Sequence, residues 1–498
     1  MYKFDLTKKE LLDTMHSGDI YNFNLAQNMA LLSNDETTIR NFFQVQIQQY
    51  FKNTWITQSS KNRFLRYYEE GQAFCYFGLI PMIVQGKVNL VASNGFKCES
   101  DNAEIDDLLN EVVEESKMQE HFVKGAYLES GLGDCLFRIS FDAKKKKPRI
   151  DVIEPERFEV NYNNNEITSI VVKEASKEDP TYELREKHFL NDAGYYCIKY
   201  YYTVDGEYMD MENPSVLQLC ESKFDCAKTP ENVILPFRDL MVVFKKNANN
   251  NNLYDGERGV PDIQGLVGYE DALTESLSDL IDAIRKGGVK EYVDDQLLPQ
   301  DLEGNTLNFN SFNKRIITTK GSSSFENLFK VVQGDIKWEA YTRTIQNLMS
   351  IAINKAGLSP TTIGLTGLES INSSVESQDA REKPSMRTRT VALDSWRPVL
   401  KSVLNKYLQV RDYANKKDIL DYESVINIVF NEYTNPTLEN ITDVLAKQVQ
   451  NGLKSRKTAI QDLNKGASEL QVDKELMQID SENTPQMTEQ INEDYIGE

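Results

Sequence analysis

The periodicity of apolar side chains divides the chain into a β-rich stretch and several helices. Residues 148–245 alternate apolar and polar positions in short runs such as Ile150–Ile153 and Tyr195–Tyr202, which is the period of strands with one buried face. Over Gly265–Lys286 and Asp335–Ala356 the apolar positions recur every three or four residues, which predicts two helices with one apolar stripe each. The chain is therefore predicted to belong to the α+β class.

Shorter elements are predicted around these two helices. The segment between them, residues 289–334, reads as a small α/β insertion with strands at Arg315–Thr319 and Leu328–Val332. Val425–Phe430 reads as a further strand. The final residues, 475–498, are acidic and contain no Lys or Arg, a composition typical of disordered segments.

A third helical segment begins at Ser373 and contains Pro384 and Pro398. A proline inside a helix removes a backbone donor and clashes with the preceding turn, which costs about 3 kcal/mol. A helix that keeps two prolines is therefore predicted to bend around something. The bends are expected near Ala380 and Asp394, whose carbonyl groups lose their partners.

Acidic side chains follow one side of the Gly265–Lys286 helix. Asp271, Glu275, Asp279 and Asp282 are separated by three- or four-residue steps. Like charges four residues apart repel by a few tenths of a kcal/mol, so this column gives an isolated helix no advantage. It would have a use on the wall of a channel for polyanionic DNA, and it would be equally natural as a solvated helix face. Both interpretations stay open.

Composition limits the partners of the protein. The chain of 498 residues has room for roughly three domains, and its hydrophobic content of 40% suits a protomer that hides more surface in an assembly. A net charge of −21 argues against a protein that grips nucleic acid, although DNA could still slide past it without binding. A soluble acidic cytoplasmic protein explains the same numbers. The basic run Lys144–Lys147 is predicted to be a solvated hairpin tip.

Cysteine and histidine are too scattered to predict a metal site, because no CxxC pair is present. They are Cys75, Cys98, Cys135, Cys197, Cys220, Cys226, His16, His121 and His188. The N-terminus has no apolar signal region and no run reaches ~18 apolar residues. We therefore expect free thiols in a reducing cytoplasm, with no metal, no cofactor and no membrane partner.

Known catalytic motifs are missing from the sequence. There is no G-x-x-x-x-G-K-[ST], so a P-loop ATPase is not predicted, and neither G-x-S-x-G nor H-E-x-x-H occurs. Glu129 with Asp134, or Asp294 with Asp295, could be named as carboxylate pairs. Such pairs arise by chance in a chain with 77 acidic residues, so we predict that the protein is not an enzyme.

Several segments, taken in order, resemble the Gp6-like family of tailed-bacteriophage portal proteins. They are Arg66–Gly71, Val88–Phe96, Gly131–Leu136, Ile153–Phe158 and Glu369–Lys383. The resemblance covers most of the chain, roughly residues 60–465, whereas the first 50 residues and the 289–334 insertion match by position alone.

The resemblance implies a portal-type protomer with a mixed α/β wing, a two-helix stem, a small α/β clip, a long kinked helix and a helical crown. The implied segments are an N-terminal helical arm (1–60), the wing (61–255), the first stem helix (256–288), the clip (289–334), the second stem helix (335–358), the tunnel loop (359–373), the kinked wing helix (374–410), a wing strand region (411–435), the crown (436–470) and an acidic disordered tail (471–498).

The implied function is passive. The family resemblance predicts a ring of about twelve copies at one capsid vertex, built through heterologous contacts between identical subunits. The ring would conduct double-stranded DNA during packaging and ejection without sequence specificity. It would bind terminase, head–tail adaptor proteins, and major capsid and scaffolding proteins. The protein would be assembled in the bacterial host cytoplasm and reside in the virion.

The resemblance also assigns candidate site residues. The tunnel-loop candidates are Thr361, Thr362, Gly364, Thr366, Gly367, Glu369, Ser370 and Asn372, and the candidate basic rings of the channel are Lys355, Arg381, Lys383, Arg387 and Arg389. Pairing between subunits, or between residues four apart on a helix, explains those cations equally well. Two rival functions stay open: a non-portal adaptor or scaffold of a viral or mobile-element assembly, and an enzyme with an unfamiliar site.

Overall fold

The chain is seen in a computed structural model. The described residues are 17–39, 75–100, 103–142, 144–164, 166–176, 179, 181–204, 206–209, 233–247, 254, 256–287, 290–294, 316–319, 329–332, 334, 336–365, 375–431, 438–464 and 469–482. They form two compact units, one up to Asn431 and one after it.

The first unit combines helices with mainly antiparallel sheets, which confirms the predicted α+β class. Its helices are α1 (Ser17–Leu32), α2 (Leu79–Ala92), α3 (Ala103–Glu115), α4 (Met118–Leu132), α5 (Val267–Lys286), α6 (Trp338–Lys355) and α7 (Val375–Ala414). Its strands are β1 (Phe96–Glu99), β2 (Asp134–Asp142), β3 (Lys147–Ile153), β4 (Phe158–Asn163), β5 (Glu166–Ala175), β6 (Tyr182–Leu190), β7 (Tyr196–Val204), β8 (Glu207–Tyr208), β9 (Val233–Leu235), β10 (Val242–Lys246), β11 (Lys290–Asp294), β12 (Ile316–Thr319), β13 (Phe329–Val332) and β14 (Asn427–Phe430).

The predicted β-rich stretch forms two sheets. Strands β4 to β8 pair in sequence order, and β9 adds to β7. A second sheet has the order β10–β2–β3, in which β2 and β3 form a hairpin whose turn contains Lys144–Lys146. The prediction of a hairpin tip for the lysine run is therefore confirmed. Strand β14, close to the predicted Val425–Phe430, pairs with β1.

A small sheet lies between α5 and α6 along the chain. Its order is β12–β11–β13, with Tyr292 opposite Ile317 in a parallel pair and opposite Lys330 in an antiparallel pair. Strands β12 and β13 confirm the two strands predicted in this segment. Helices α5 and α6 pack against each other, so the small sheet is an insertion between two packed helices.

Trp396 of α7 lies fully buried in the core of the first unit. Its ring makes edge-to-face contacts with Phe122 of α4 at 5.1 Å and with Phe137 of β2 at 6.0 Å. Gly125 permits this packing, because a Cβ atom at that position would lie 2.8 Å from atoms of both Trp396 and Phe137. Trp396 thus joins the long helix to α4 and to the sheet that contains β2.

The long helix differs in extent from its prediction. Helix α7 runs without interruption from Val375 to Ala414, with Pro384 and Pro398 inside it, so it continues beyond the predicted end at residue 410. The additional turn contains Asp412, which is buried and accepts a hydrogen bond from the Tyr422 hydroxyl at 2.8 Å. The first predicted stem segment, by contrast, starts later as a helix, since Val267 follows a series of turns.

The second unit contains α8 (Leu438–Gln450), α9 (Arg456–Leu463) and α10 (Glu469–Glu482). Helix α10 corrects part of the prediction of a disordered tail, because residues 471–482 are helical. Val472 is buried, and Leu476 and Ile479 follow it at helical spacing with intermediate burial. The acidic composition of the segment does not reveal this apolar face, because the face consists of few residues. Residues 483–498 lie outside the described residues.

Candidate functional site

Helix α5 presents a ladder of polar side chains to the segment that precedes α2. Glu270, Thr274 and Ser278 are one turn apart and buried. Glu270 accepts the backbone N–H groups of Gly78 and Ile80, both at 2.8 Å. Burial raises the pKa of the Glu270 carboxyl, and these backbone donors oppose that shift. The ladder fastens the N-terminus of α2 to α5.

The four predicted acids of α5 lie beside this ladder. Asp271, Glu275, Asp279 and Asp282 all have intermediate burial, unlike Glu270. Glu275 and Asp279 line an open groove of about 740 Å³ between α5 and α6. Two of the four acids, Glu275 and Asp279, thus lie at this groove, and a contact between the acidic column and DNA stays a prediction.

Helices α5 and α6 expose large apolar side chains near one end of the pair and along it. Trp338 is 59% exposed, Ile284 is 54% exposed and Ile351 is 51% exposed. Met349 and Ala352 of α6 are buried instead. The apolar stripes predicted for the two helices are thus buried in part, and the first unit leaves the rest open.

The base of the predicted tunnel loop is fixed to α7. Residues Pro360–Ile363 form a 3-10 turn. Ser385 of α7 accepts the backbone N–H of Ser359 at 2.8 Å, and its hydroxyl lies 2.7 Å from that of Thr362. One turn on, the Thr388 hydroxyl donates to the Gly357 carbonyl at 2.6 Å. The loop therefore starts from an anchored turn.

Gly364 follows that turn with a φ of 81°, a left-handed conformation that favours glycine. No atom lies within 4 Å of the position of a Cβ atom there, so glycine is favoured by the backbone conformation and not by crowding. Thr361 and Thr362 are half-buried. The remaining predicted loop residues lie outside the described residues: Thr366, Gly367, Glu369, Ser370 and Asn372.

The candidate basic residues have different surroundings. Lys383 and Arg387 are exposed one turn apart on α7. Arg389 donates to the carbonyl groups of Leu90 at 2.9 Å and Asn431 at 2.6 Å. Arg389 thereby ties α7 to the ends of α2 and β14.

Lys355 of α6 donates to the Gly265 carbonyl at 3.0 Å and lies 5.3 Å from the centre of the Tyr269 ring. This contact joins the end of α6 to the start of α5. Arg381 belongs to α7, and its side chain lies outside the described residues. Among the four candidates with described side chains, Lys355, Lys383 and Arg387 are exposed, and Arg389 is half-buried.

Asp134 is the centre of a buried charged cluster at the start of β2. Its carboxylate accepts hydrogen bonds from Arg258 at 3.1 Å, from Tyr21 of α1 at 3.2 Å and from the backbone of Gly259 at 3.2 Å. Burial raises the pKa of Asp134, and the Arg258 guanidinium opposes that shift. Arg258 also donates to the Pro155 carbonyl at 3.0 Å. The cluster joins α1, β2 and the segment that leads into α5.

Glu129 forms an ion pair with Lys245 and not with the Arg258 that contacts Asp134. Lys245 of β10 donates to its Oε1 at 2.7 Å, and the Trp396 indole donates to its Oε2 at 2.5 Å. Both members of the ion pair are almost completely buried. Glu129 and Asp134 thus each accept from fixed donors, which is a structural arrangement rather than the shared geometry of an acid–base pair. Asp294 lies in β11, and Asp295 is outside the described residues.

Sequence reasoning missed the residues that build these clusters. Asn247 begins a run of asparagines that composition marks as a linker, yet its side chain is buried and donates to the Val260 carbonyl at 2.9 Å. Glu270 comes one residue before the acidic column and is buried, whereas Asp271 is half-buried. The spacing of Glu270, Thr274 and Ser278 indicated that they share one helix face, because residues four apart lie one above the other.

The described residues were also compared with the requirements of a metal site, a membrane span and a reactive thiol. Within the described part of the chain, no group of three or more His, Cys, Asp or Glu side chains could hold a metal ion. No helix among those residues is both long and apolar enough to cross a membrane. The described cysteines are free thiols, and burial raises the pKa of Cys98 to about 12.

No known protein-family model matches the chain, and no curated protein matches it. Solved structures similar to it include a chain from the virion of a native gene transfer agent particle, at 12% identity, covering 81% of this chain and 93% of that one, with a TM-score of 0.39. A chain from the neck of the native particle, computed with C12 symmetry, gives 11% identity, 82% and 93% coverage, and a TM-score of 0.37. A chain from the neck of the empty particle, computed with C6 symmetry, is 10% identical. The match covers 80% of this chain and 92% of that one, with a TM-score of 0.38. At these scores the likeness carries no conclusion about function.

Proposed function

We propose that the protein is a phage portal protein that forms a homo-oligomeric ring at one capsid vertex. The ring provides the channel for DNA packaging and ejection and binds terminase and head–tail connector proteins. It conducts and retains the genome without chemistry of its own. The residues that serve this function are therefore surface and loop residues rather than catalytic groups.

The order of elements from α5 to α7 is the observation that carries the proposal. Two packed helices enclose a small three-stranded insertion, and an anchored turn then leads into a helix of 40 residues with two internal prolines. The portal resemblance implies this order as stem, clip, stem, tunnel loop and kinked helix. The match in order supports the proposal independently of any single motif.

The surface of α5 and α6 supports the same proposal in two ways. Trp338, Ile284 and Ile351 expose apolar area that neighbouring copies in a ring could bury. The half-buried acids of α5 would face DNA with like charge, so that the polyanion slides past rather than binding.

Single-particle electron microscopy of the purified protein, with views classified by rotational symmetry, tests the proposal. We expect a closed ring of about twelve subunits with a channel wide enough for duplex DNA. Monomers or dimers at high protein concentration would contradict the proposal.

A charge substitution tests the channel wall. In assembled rings, Asp279→Lys is expected to slow the release of a short duplex DNA at low salt, since it places one cation per subunit beside the DNA. Glu423→Lys makes the same charge change at an exposed position after α7 and serves as the control. Equal DNA retention by both variants would show that Asp279 does not face the channel.

A further inference from the structure

A cavity of about 650 Å³ lies between the β2–β3 hairpin, strands β6 and β7, and the C-terminal end of α7. Arg138 crosses between the two sheets, donating to Glu186 at 2.8 Å and to Asp151 at 3.0 Å. The opposite wall is apolar and includes Phe237, Met241 and Val410. The cavity is thus charged on one side, apolar on the other, and within the size range of ligand pockets.

Aromatic side chains and cations surround the mouth of the cavity. Phe141 is 43% exposed and Tyr413 is 45% exposed, and both line the cavity. Lys416 and Arg149 line it as well and are both exposed, and Arg149 is paired with Asp151 at 2.6 Å. An incoming apolar group would therefore contact aromatic rings and pass positive charge on its way in.

The hairpin tip extends this basic rim. Lys144, Lys145 and Lys146 are all exposed. The Asp142 carboxylate accepts the backbone N–H groups of Lys144 at 2.9 Å and Lys145 at 3.1 Å, which fixes the turn. Lys147 is different, because it pairs with Glu115 of α3.

We infer that this cavity and its basic rim are a docking site for an acidic segment of a partner protein that carries one aromatic or aliphatic side chain. The cavity takes the apolar side chain, and the exposed lysines contact the flanking carboxylates. This local excess of cations stands out in a chain with a net charge of −21. The inference does not depend on the proposed portal function.

The observations favour a protein segment over nucleic acid. The apolar wall of Phe237, Met241 and Val410 offers a phosphate backbone nothing to bind. On the other wall, Asp151 and Glu186 are paired with Arg138. A protein segment can satisfy both parts of the site with adjacent side chains.

The test uses fluorescently labelled peptides of one length and measures their binding to the full chain by anisotropy. One series places Phe, Leu or Ala between flanking Glu residues, and a matched series replaces the Glu residues by Lys. We expect the Glu-flanked Phe peptide to bind at least about tenfold more tightly than the Glu-flanked Ala peptide and the Lys-flanked Phe peptide.

Variants locate the binding. Lys144→Glu with Lys145→Glu is expected to weaken binding of the Glu-flanked Phe peptide by about tenfold or more. The control, Lys97→Glu with Lys447→Glu, makes the same change in net charge at exposed positions elsewhere and should change binding by less than about twofold. Phe141 is partly exposed, so its replacement should not unfold the protein. The Phe141→Ala variant should show a smaller difference in affinity between the Phe and Ala peptides than the wild type does.

Several results would overturn the inference. Absence of binding, equal binding of the Phe and Ala peptides, or equal weakening by the rim variant and its control would each do so. Tight binding of a short duplex DNA that displaces the peptide would make the rim a nucleic-acid surface. Self-association that the rim variant abolishes and the control retains would instead make it a contact between copies of this chain.

Discussion

Around α4, β2 and β10 the buried charges are paired within the chain: Asp134 contacts Arg258, and Glu129 contacts Lys245. Helices α5 and α6 differ, because Trp338, Ile284 and Ile351 are each more than half exposed there. Both regions belong to the first compact unit and are joined to each other through neighbouring elements. The first region satisfies its own side chains, whereas the second leaves apolar area that folding of one chain does not bury.

This contrast separates a region whose buried charges are paired within the chain from a region that leaves apolar side chains exposed. A buried ion pair is costly to break from one side, since the remaining charge has no water to replace its partner. An exposed tryptophan costs the folded monomer little and becomes useful on contact with another surface. Substitutions in the first region should therefore change stability, and substitutions in the second should change assembly.

The largest effect is expected at Lys245. Lys245→Met leaves the Glu129 carboxylate buried with the Trp396 indole as its remaining described donor, so the free energy of unfolding should fall by about 3–5 kcal/mol. Urea denaturation followed by tryptophan fluorescence measures this loss. Lys117→Met removes an exposed pair with Glu120 in the same unit and should cost less than about 1 kcal/mol. Similar losses for both variants would remove the contrast between buried and exposed charges.

A steric prediction follows for the segment beside Asp134. In Gly259→Ala the new Cβ atom would lie 1.9 Å from the Gly133 carbonyl oxygen, and backbone must shift to relieve this clash. We expect a loss of about 3 kcal/mol in the free energy of unfolding, measured by the same denaturation. Gly268→Ala adds the same methyl group in α5, where no atom lies within 4 Å, and should be neutral or stabilising by up to about 1 kcal/mol.

Glu270 links the two regions and gives a pH-dependent prediction. Glu270→Gln leaves one acceptor oxygen for the N–H groups of Gly78 and Ile80, so an unsatisfied donor should cost about 1–3 kcal/mol. Burial raises the folded-state pKa of Glu270, so the folded protein binds the proton more tightly than the unfolded chain does. The wild type therefore loses stability as the pH rises from the ordinary glutamate pKa through the raised one.

Comparison of urea denaturation curves across that window checks the sign. The deficit of the Gln variant relative to wild type should shrink as the pH rises, because the variant has no carboxyl group to ionise. A deficit that grows with pH would mean that the backbone donors outweigh burial.

The smallest effect on stability is expected where the effect on assembly is largest. Trp338→Ser with Ile351→Ser should change the monomer's free energy of unfolding by no more than about 0.5 kcal/mol, since both side chains are mostly exposed. The same variant should lose the proposed ring, as measured by light scattering after size-exclusion chromatography. Glu339→Ser with Asn347→Ser, exposed on the same helix, is the control. A ring that survives the apolar substitutions would place the contact between copies elsewhere.

Local periodicity was sufficient to predict much of the secondary structure. The alternation in residues 148–245, the two helices represented by α5 and α6, and the lysine turn of the β2–β3 hairpin all follow from side-chain spacing. The acidic column on α5 was also predictable, because positions three and four apart share a helix face whatever the helix packs against. Composition gave a wrong prediction of disorder for the residues of α10, because acidic residues outnumber Val472 and its apolar neighbours there.

The sequence by itself therefore determined the class, the order of elements and the chain's acidic surface, since these depend on neighbours along the chain. Tertiary structure alone decided which acids are buried. Asp134 meets Tyr21, which is 113 residues away, and Glu129 meets Trp396, which is 267 residues away. No local pattern encodes such contacts, because they depend on how distant elements pack. The same packing distinguishes Glu270, which holds the start of α2, from Asp271, the next residue on the same helix.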